Sequence, residues 1–469
     1  MKLPKFSRIY EFICEENCYY IIRHSITNKS FFFTAENFKE LITNLKNKKE
    51  TKDIQILKKH HILVQDNYSE KKFIDFLKES YNLNNFDLEI IYLIFNTSCN
   101  IGCKYCYIEG SAEPGFRNTS MDDKTFNKLT DYLEKLIIYQ KKKNPSKKKF
   151  TFIYYGSEPL MSKEFFIKSL RLIKNICNKN KISPYFKITT NGTLFDKKIA
   201  NAIKKFRVGV SISLDGEKKV NDVMRTTYDG KGTYDKIIHA INLLKDSKIP
   251  FGISCTISQH NINCLKDNVE HFIKLGANSI GFNILLNARY ASIPLIPLTI
   301  LNDKLLEASK KVNNLGFYED RIQRKIRAFN GVPRFKDCGG VGNQLVFFPN
   351  GDIGTCEAYL CNKKSKIGNI KTFKVEDIEN SSIVKYWTER YPLNMQECLY
   401  CPALGICGGG CPFNAETIST KDIYQRDKPI CVHTEETLTW LLKESVEEKT
   451  GEKEPYLRDI TFMYSNDVF

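Results

Sequence analysis

The sequence predicts an α/β protein built on a parallel sheet, with a small module before the sheet and a cysteine-rich region after it. Between residues 88 and 290, apolar β-branched runs alternate with helical segments, and six such repeats occur. The chain also has sixteen cysteines, most of which lie near residue 100 and between residues 338 and 431. These two observations predict a sheet of six parallel strands that is followed by a cysteine-rich domain.

Residues 1–80 are predicted to form the module that precedes the sheet. Two aromatic and β-branched runs flank a polar turn, which is typical of a hairpin, and apolar residues at helical spacing follow. The predicted elements are, in order, strands Tyr19–Arg23 and Ser30–Thr34, a helix over Glu36–Asn47, a helix from the capping residue Thr51 to His60, and an extended Ile62–Val64. A hairpin, two helices and a closing strand therefore stand before the sheet.

Six runs between residues 88 and 290 are typical of buried strands in a parallel sheet. The predicted strands are Leu88–Asn96, Phe150–Tyr155, Tyr185–Thr190, Val208–Leu214, Phe251–Ile257 and Ser279–Leu286. Apolar residues at helical spacing between them predict helices such as Phe165–Asn178 and Tyr234–Ser247. Because loops at the carboxyl ends of barrel strands carry active sites, residues that follow these strands are the first candidates for chemistry.

The composition argues against membrane insertion and favours metal binding. No apolar run is long enough to span a bilayer and no secretory signal stands near Met1, so we expect a soluble cytoplasmic protein with no membrane partner. Sixteen cysteines in such a chain favour metal sites over disulfides. The net charge of +17 is typical of lysine-rich helix surfaces, or it attracts an acidic peptide; no motif indicates nucleic acid.

Three closely spaced cysteines follow the first predicted strand. Cys99, Cys103 and Cys106 have the spacing Cys-x3-Cys-x2-Cys and stand on a loop directly after an apolar stretch. Three thiolates at this spacing can bind three irons of a [4Fe-4S] cluster, and no fourth cysteine is nearby, so one iron keeps an open position. The alternative, three unrelated buried cysteines, is disfavoured by the spacing, by the position after a strand and by the second cysteine array downstream.

This motif, with the aromatic Tyr105 before its third cysteine, resembles the signature of the radical S-adenosylmethionine (SAM) enzymes. The resemblance implies that the six strands form a partial (β/α)6 TIM-like barrel. It also implies that the open iron binds SAM and that an electron from a flavodoxin- or ferredoxin-type donor cleaves SAM to a 5'-deoxyadenosyl radical, which abstracts a hydrogen atom. The demanding chemistry then belongs to the cofactors, and the protein ligates, orients and excludes water.

Further segments resemble the SAM-binding parts of this family. Gly156-Ser157-Glu158-Pro159 follows the second strand and resembles Gly-Gly-Glu-Pro, whose backbone and carboxylate receive the SAM amine, although serine replaces the second glycine. By resemblance, Tyr105 packs on adenine. The residues implied to bind SAM are Tyr105, Gly156, Ser157, Glu158, Pro159, Asn191, Ser213, which would contact the ribose, and Arg225, which would contact the SAM carboxylate. An alternative for Asn191 and Asp215 is that they only cap turns.

Seven cysteines of the cysteine-rich region resemble a SPASM domain, which holds two auxiliary [4Fe-4S] clusters. The resemblance assigns Cys338, Cys356 and Cys411, here called the inner group, to the cluster nearer the sheet, and Cys398, Cys401, Cys407 and Cys431, the outer group, to the distal cluster. A single structural zinc would use four ligands and leave three cysteines unexplained. Full SPASM domains carry one more cysteine before the first, which is absent here. Either Cys361 replaces it, or one inner iron is open to a substrate thiolate.

From about residue 88 to 440 the chain resembles SPASM-containing radical SAM maturases of ribosomally synthesised peptides. The implied partner is a precursor peptide, whose leader would bind residues 1–80 as an added strand, as in the winged-helix-like recognition elements of such enzymes. The alternative for residues 1–80 is a structural cap. The segment 291–335 is predicted to bridge the barrel (88–290) and the SPASM domain (336–440), and 441–469 to form a C-terminal tail. The incomplete inner group favours a cysteine thioether product; a carbon–carbon crosslink or an epimerisation suits the same domains.

The second enzyme hypothesis is an anaerobic sulfatase maturase, which oxidises serine or cysteine to formylglycine. Those enzymes carry an aspartate, as catalytic base, directly after the cysteine that matches Cys356; here Glu357 stands at that position. A glutamate can also accept a proton, so Glu357 is the candidate catalytic base, or else a surface carboxylate. A non-catalytic iron–sulfur protein is the third hypothesis, and the open iron of the first motif argues against it.

Overall fold

The computed structural model describes residues 1–108, 118–286, 294–359, 364–419 and 422–464. Cys361, the alternative fourth ligand of the inner group, lies outside the described residues. Two sheets organise the described chain, one of four strands that contains the N-terminus and one of ten strands. Helices pack against both sheets, and no helix in the described ranges is long and apolar enough to cross a membrane.

The four-stranded sheet is antiparallel and contains the predicted hairpin. Its strands are β1 (Ser7–Ile13), β2 (Cys18–His24), β3 (Ser30–Thr34) and, from the C-terminus, β14 (Tyr456–Asp459). The order is β14-β1-β2-β3, with Tyr10 opposite Asp459 and Ile21 opposite Phe32. The segment predicted as a C-terminal tail therefore supplies one edge strand of the N-terminal sheet, and β3 is the other edge.

Three helices follow β3 and cover this sheet. They are α1 (Ala35–Lys46), α2 (Lys52–Lys59) and α3 (Glu70–Ser80). The hydroxyl of Thr51 accepts a hydrogen bond from the backbone N–H of Ile54 and so caps α2, as its position in the sequence predicts. Apolar side chains of α1 and α2, such as Phe38 and Leu57, are buried against Ile22 of the sheet.

The ten-stranded sheet contains the six predicted parallel strands. Its strands are β4 (Ile90–Leu93), β5 (Lys149–Tyr154), β6 (Ser183–Thr190), β7 (Gly209–Ser213), β8 (Phe251–Ile257), β9 (Ser279–Ile284), β10 (Tyr318–Glu319), β11 (Gln344–Phe347), β12 (Asp352–Gly354) and β13 (Lys366–Asn369). Strands β4 to β9 lie side by side in chain order and are all parallel. The sheet runs from β10 at one edge to β13 at the other, so the partial barrel is open, and the predicted α/β class is confirmed.

The sheet extends beyond the six predicted strands at both edges. Strand β10, in the predicted bridging region, pairs with β9 in parallel. At the other edge β11 pairs with β4 in parallel, with Gln344 opposite Ile90, and β12 and β13 continue as antiparallel neighbours. The start of the cysteine-rich region therefore belongs to the same sheet as the first cysteine loop, because β11 adds directly to the strand that precedes that loop.

The remaining helices cover the convex face of this sheet and build the C-terminal region. They are α4 (Asp123–Lys143), α5 (Lys163–Lys179), α6 (Lys197–Phe206), α7 (Lys218–Met224), α8 (Tyr234–Asp246), α9 (Leu265–Lys274), α10 (Leu298–Asn314), α11 (Asp320–Phe329), α12 (Ser382–Thr388), α13 (Leu404–Cys407), α14 (Pro412–Ser419), α15 (Lys428–Thr450) and α16 (Thr461–Tyr464). Outward-facing residues of the strands, for example Phe152 and Ile212, are fully buried against helices in the largest apolar core. The helices that cover the convex face of the ten-stranded sheet do not cover its concave face.

Buried hydrogen bonds join the N-terminal module to the C-terminal region. The side-chain amide of Asn28 donates to the backbone carbonyls of Ala328, at 2.7 Å, and of Gly405, at 2.8 Å. The N–H of Gly405 donates to the carbonyl of Ser25, and a Cβ at Gly405 would stand 2.3 Å from the carbonyl oxygen of Ile26. Residues 1–80 are thus packed as part of the whole, and deleting them would expose apolar core. Point substitutions are the better test of their role.

Candidate active site and cysteine groups

The first cysteine loop lies at the carboxyl end of β4. The thiols of Cys99 and Cys103 are within electrostatic reach of each other and of Cys106, and burial raises the pKa of the Cys99 and Cys103 thiols to about 12. Two side chains point N–H groups at these sulfurs: Asn191 Nδ2 lies 3.7 Å from Cys99 Sγ and Arg225 Nη1 lies 3.9 Å from Cys103 Sγ. Such donors stabilise sulfur that carries negative charge, as in a metal-bound thiolate.

The donor set of this loop fits an iron–sulfur cluster. No group of three His, Cys, Asp or Glu side chains among the described residues is arranged around one point as a single metal ion requires. A [4Fe-4S] cluster binds each thiolate through a different iron, so its ligands need not converge on one point. Two backbone hydrogen bonds hold the first cysteine loop against the end of α7. The Gly102 N–H donates to the Thr226 carbonyl at 2.8 Å, and the Lys104 N–H donates to the Met224 carbonyl at 3.0 Å.

The Glu158 side chain joins two loops near the first cysteine loop. Its carboxylate, only 1% exposed, accepts hydrogen bonds from the Thr190 hydroxyl at 2.7 Å and from the backbone N–H groups of Leu160 and Asn191, at 2.9 and 2.7 Å. Oε1 accepts two of these hydrogen bonds and Oε2 accepts one, so Oε2 keeps an acceptor position and the contact of this carboxylate with the SAM amine stays a prediction. Its observed role is to fix the loop after β5 to the loop after β6.

A buried ion pair lies beside the cysteine loop. Arg225 Nε is 3.0 Å from Asp215 Oδ2, and both side chains are less than 10% exposed. The hydroxyl of Tyr105 donates to the same oxygen, and the Arg225 guanidinium stands 5.4 Å from the centroid of the Tyr105 ring. Burial lowers the pKa of Arg225, but the combined charges of Asp215, Tyr105 and Cys103 outweigh burial and raise the pKa well above its usual value. Asp215 is thus a site residue and does more than cap a turn.

The other residues predicted to bind SAM lie at the same end of the sheet. Gly156 has a φ of +119°, and a Cβ there would stand 2.8 Å from Ile94 Cγ2, so only glycine fits this turn. Ser213 is the last residue of β7, is partly exposed, and has a hydroxyl that bonds to no described residue. Asn191 both caps its turn, through Thr193 N–H at 2.9 Å, and faces Cys99. Pro159 is buried and begins a short 3-10 helix after Glu158.

The concave face of the sheet bounds a cavity of about 510 Å³. Alternate residues of successive strands line it, among them Tyr155, Thr189, Ser211, Ser254 and Asn283, as the period of two along a strand requires. Asn283 Nδ2 donates to Ser254 Oγ at 2.8 Å. Glycines on three strands widen the cavity, namely Gly209, Gly252 and Gly281. Small polar residues, together with tyrosines and aliphatic side chains, therefore line a space large enough for a bound ligand.

The structure brings together the cysteines of the inner group, Cys338, Cys356 and Cys411. Burial raises the pKa of the Cys356 thiol well above its usual value, and the charges of Glu357, Cys338 and Cys411 add to this shift. The N–H of Gly340 points at Cys338 Sγ from 3.3 Å. The three sulfurs come from the loop before β11, the turn after β12 and the residue before α14, so the β11–β12 hairpin places this group beside β4.

Glu357 lies between the inner group and the first cysteine loop. Its Oε2 accepts a hydrogen bond from Gln344 Nε2 at 2.9 Å, and burial raises the pKa of its carboxyl group. The negative charge of Glu357 in turn contributes to the raised pKa of three nearby tyrosines, Tyr92, Tyr107 and Tyr155. The last two hydroxyls are 3.2 Å apart. Since Tyr155 lines the concave cavity, the Glu357 charge acts close to that cavity, and Glu357 itself is partly exposed.

The outer group, Cys398, Cys401, Cys407 and Cys431, also assembles. Burial raises the pKa of the Cys431 thiol, and the charges of Cys407, Cys398 and Cys401 raise it further. Three glycines in the left-handed region, Gly408, Gly409 and Gly410 with φ of 73°, 89° and 67°, carry the chain from Cys407 to Cys411. This turn links the outer group to the inner group. Glycine is required at all three positions, because a residue with a Cβ adopts this conformation only with strain.

One buried arginine holds the loops around both groups. Arg390 is fully buried, and its guanidinium donates to the carbonyls of Ile423, of Gly410 at 3.2 Å and of Gln425 at 3.2 Å. Replacing Arg390 with methionine is expected to destabilise the protein by roughly 3–5 kcal/mol, because these carbonyls lose their donor. Urea denaturation of the iron-loaded protein measures this change.

The matched control for Arg390→Met is Arg426→Met. Arg426 pairs with Glu397 at 2.6 Å on the surface, where both side chains are substantially exposed. Its loss is expected to cost less than about 1 kcal/mol. Equal effects of the two substitutions would contradict the structural role assigned to Arg390.

Comparisons with known proteins were consistent with this geometry. The family model of the Radical SAM superfamily matches residues 93–276. An uncharacterized protein of Methanocaldococcus jannaschii is 32% identical over 279 residues, which cover 57% of this chain and 87% of that protein. A cysteine-type anaerobic sulfatase-maturating enzyme of Clostridium perfringens is 23% identical over 329 residues, which cover 67% of this chain and 86% of that enzyme. The crystal structure of Streptococcus suis SuiB bound to precursor peptide SuiA shares the fold, with a TM-score of 0.54, 15% identity and coverage of 92% of this chain and 99% of that chain.

Proposed function

Because the chain belongs to the radical SAM superfamily, we propose that it is a maturase that modifies a precursor peptide. One observation carries the proposal: the first cysteine loop and the Asp215–Arg225 pair follow the carboxyl ends of strands whose concave face bounds one cavity, and Tyr155, which lines that cavity, lies within electrostatic reach of Glu357. Relatives with the same superfamily chemistry include a sulfatase-maturating enzyme, and SuiB, which shares the fold, was crystallised with a precursor peptide. Both act on or bind polypeptides, which supports a peptide substrate here.

Cys99, Cys103 and Cys106 would hold a [4Fe-4S] cluster, and the loops after β5, β6 and β7 would hold SAM. When bound, these two cofactors supply a 5'-deoxyadenosyl radical for hydrogen abstraction. The residues of the chain bind and orient: the free hydroxyl of Ser213 is suited to the ribose and the remaining N–H groups of Arg225 to the SAM carboxylate. The backbone of the Gly156–Pro159 turn and the Glu158 carboxylate, whose Oε2 accepts a single hydrogen bond, are the proposed partners for the SAM amine.

The inner and outer groups would hold two auxiliary [4Fe-4S] clusters, which makes three clusters in all. The outer group supplies four thiolates and the inner group three, so one inner iron is open unless Cys361 reaches it. Glu357 is proposed as the base that accepts a proton from the substrate, and Gln344 orients it through the 2.9 Å hydrogen bond. A flavodoxin- or ferredoxin-type protein is proposed as the electron donor.

The N-terminal sheet would bind the leader of the precursor at its β3 edge. Strand β14 covers the opposite edge, and within the described ranges β3 pairs with β2 alone. The His24 N–H donates to the Lys29 carbonyl at 2.9 Å. Because only every second residue of an antiparallel strand bonds to its partner, this bond fixes which residues of β3 bond to β2. Ser30, Phe32 and Thr34 therefore turn their backbone N–H and C=O groups away from β2, where an added strand can bind them.

Phe32→Pro tests leader binding at this edge. Proline removes the outward N–H of residue 32 but no ladder bond to β2, so the fold should persist while affinity for the synthetic precursor falls at least about tenfold. Titration calorimetry with the full chain measures the affinity, and uncoupled SAM cleavage should continue.

The matched control is Phe32→Ala, which keeps the N–H. Both variants lose the stacking of Phe32 on Tyr19, whose ring centroid lies 5.5 Å away, so that loss cancels in the comparison. Equal precursor affinity of the proline and alanine variants would favour the structural-cap role for residues 1–80.

We propose a cysteine thioether as the product, because an open inner iron can bind a substrate thiolate. The sulfatase-maturase reaction is the alternative that the sulfatase-maturating relatives support, and Glu357 in place of aspartate suits either reaction. Mass spectrometry of the reacted precursor separates them. A thioether removes two hydrogens and one titratable thiol, a carbon–carbon crosslink removes two hydrogens and no thiol, and epimerisation changes no mass. Formylglycine made from cysteine replaces sulfur with oxygen and removes two hydrogens, and formylglycine made from serine removes two hydrogens and leaves an aldehyde that a hydrazide reagent labels.

A further inference from the structure

A second, apolar pocket lies on the helix side of the sheet, at the carboxyl ends of β8 and β9. Its volume is about 350 Å³, which is the lower end of the range for pockets that bind small ligands. Its walls are the ends of the two strands, the start of α10 and the helix α14. The lining includes Ile257, Ile284, Leu285, Leu298, Leu301 and Ile418. No residue used in the proposed SAM site lines it.

One buried polar atom in this pocket lacks a partner. Asn414, only 2% exposed, lines the pocket, and its Oδ1 accepts no hydrogen bond from any described group. Its Nδ2 donates to Asp427 Oδ1 at 2.8 Å, and Asp427 Oδ2 accepts from the Cys411 N–H at 2.9 Å. The Asp427 oxygens are thus used, while Asn414 Oδ1 remains an acceptor for a ligand N–H, because a buried acceptor without a donor is costly.

The rim of the pocket is positively polarised. Lys428 lines it, is exposed, and forms no ion pair with a described residue. Two long helices begin at the rim, α10 at Leu298 and α15 at Lys428, and no side chain caps either N-terminus. Free N–H groups at a helix start attract anions, so the start of α10 together with the Lys428 ammonium favours a carboxylate. The start of α15 adds less, because its N-cap residue is Asp427 and Pro429 has no N–H.

The pocket adjoins the inner cysteine group through two segments. Leu285 lines the pocket, while its neighbour Leu286 packs with Cys356 and Cys411. Likewise Asn414 lines the pocket, while Phe413 packs in the cluster that contains Cys356. At two positions along the chain, therefore, a residue that lines the pocket is the direct neighbour of a residue that packs near the inner cysteine group.

We propose that this pocket binds the C-terminal residue of a peptide, with an apolar side chain in the cavity, its N–H on Asn414 Oδ1 and its carboxylate beside Lys428. The proposal rests on the proposed function in one respect, that the substrate is a peptide, and it names the part of the peptide that is recognised. The apolar wall matches the side chain of such a residue, the Asn414 acceptor matches its N–H, and the cationic rim matches its carboxylate. Recognition of a peptide's terminal carboxylate by backbone N–H groups is a known binding mode.

Four small probes test each feature separately on the full chain without SAM. N-acetyl-L-leucine carries all three features. N-acetylglycine lacks the side chain, N-acetyl-L-leucinamide lacks the charge, and N-acetyl-N-methyl-L-leucine lacks the N–H. Saturation-transfer NMR titration should show N-acetyl-L-leucine binding about tenfold more tightly than N-acetylglycine and about fivefold more tightly than the other two.

Two variants locate the binding. Ile418→Trp fills the cavity from a partly exposed position and should abolish binding of N-acetyl-L-leucine. Lys428→Met should remove the preference for the carboxylate over the amide and keep the preference for leucine over glycine. Lys443→Met, on the same helix α15 but outside the pocket lining, is the matched control and should change neither.

Three outcomes would overturn the proposal. Equal affinity for all four probes would remove the specific recognition, and unchanged binding in Ile418→Trp would place the site elsewhere. Tighter binding of octanoate than of N-acetyl-L-leucine would assign the pocket to an acyl chain, which has no N–H for Asn414. Since these titrations need no turnover, absence of SAM cleavage would count against the proposed function and leave this result intact.

Discussion

Changing Cys99, Cys103 and Cys106 together to alanine is expected to abolish SAM cleavage. The three thiols lie together at the carboxyl end of β4, and the other cysteine groups are held by separate loops, so the loss should be local. With three clusters, the variant should lose about one third of roughly twelve irons and keep the rest. Iron analysis of the reconstituted protein and chromatography of 5'-deoxyadenosine under reducing conditions measure both effects.

The control is a triple alanine variant of Cys14, Cys18 and Cys264, which lie outside the three groups and are partly exposed. It should keep its iron and its SAM cleavage. If the variant of the first loop still formed 5'-deoxyadenosine at the rate of this control, the assignment of the loop would be wrong.

Asp215→Ala is expected to cost roughly 3–5 kcal/mol of stability, because it leaves the Arg225 charge buried without its partner. The Asp215 carboxylate also accepts hydrogen bonds from the Tyr105 hydroxyl and, at 3.0 Å, from the Thr256 N–H. Its removal should therefore also disorder the proposed SAM site. SAM affinity should therefore fall at least about tenfold. Urea denaturation of the iron-loaded protein and equilibrium dialysis with SAM measure the two effects.

A double variant separates charge burial from a general packing defect. Asp215→Ala combined with Arg225→Met should be more stable than Asp215→Ala alone, since no unpaired charge remains buried. As a surface control, Asp235→Asn removes an exposed pair with Lys218 and should cost less than about 1 kcal/mol. A double variant that is less stable than the single one would show that the ion pair is not what the Asp215 side chain stabilises.

The parallel sheet is predictable because its strands are long, apolar and separated by amphipathic helices. Phe251–Ile257, for example, is a strand with the predicted bounds. Strand β10 has two residues and strands β11 to β13 have three or four, which is too short for any periodicity to be read. Strand β1 lacks a period-two alternation, because Ile9 and Tyr10 are both buried and Arg8 and Glu11 lie three residues apart. Its partner β14 lies more than 440 residues away in the chain.

The cysteine groups are predictable from their spacing, whereas their surroundings are not. Spacing reports which thiols can share a loop, and the structure assembles the same three sets. The sequence does not predict the pairing of Asp215 with Arg225, because the pairing depends on how the loop after β7 folds back. A buried arginine does require an acidic partner nearby, but the sequence does not say which one. Gln344 meets Glu357 only because β11 and β12 form a hairpin, and no sequence pattern records that contact.

Deuterium transfer from the substrate tests the central claim most directly. The reduced, iron-loaded protein would be incubated with SAM and a precursor peptide that carries deuterium on the α- and β-carbons of its core residues. We expect deuterium to appear in 5'-deoxyadenosine in proportion to modified peptide, because the adenosyl radical would take its hydrogen from the bound peptide. Modified peptide accompanied by 5'-deoxyadenosine without deuterium would contradict a peptide maturase that works by direct hydrogen abstraction at these positions.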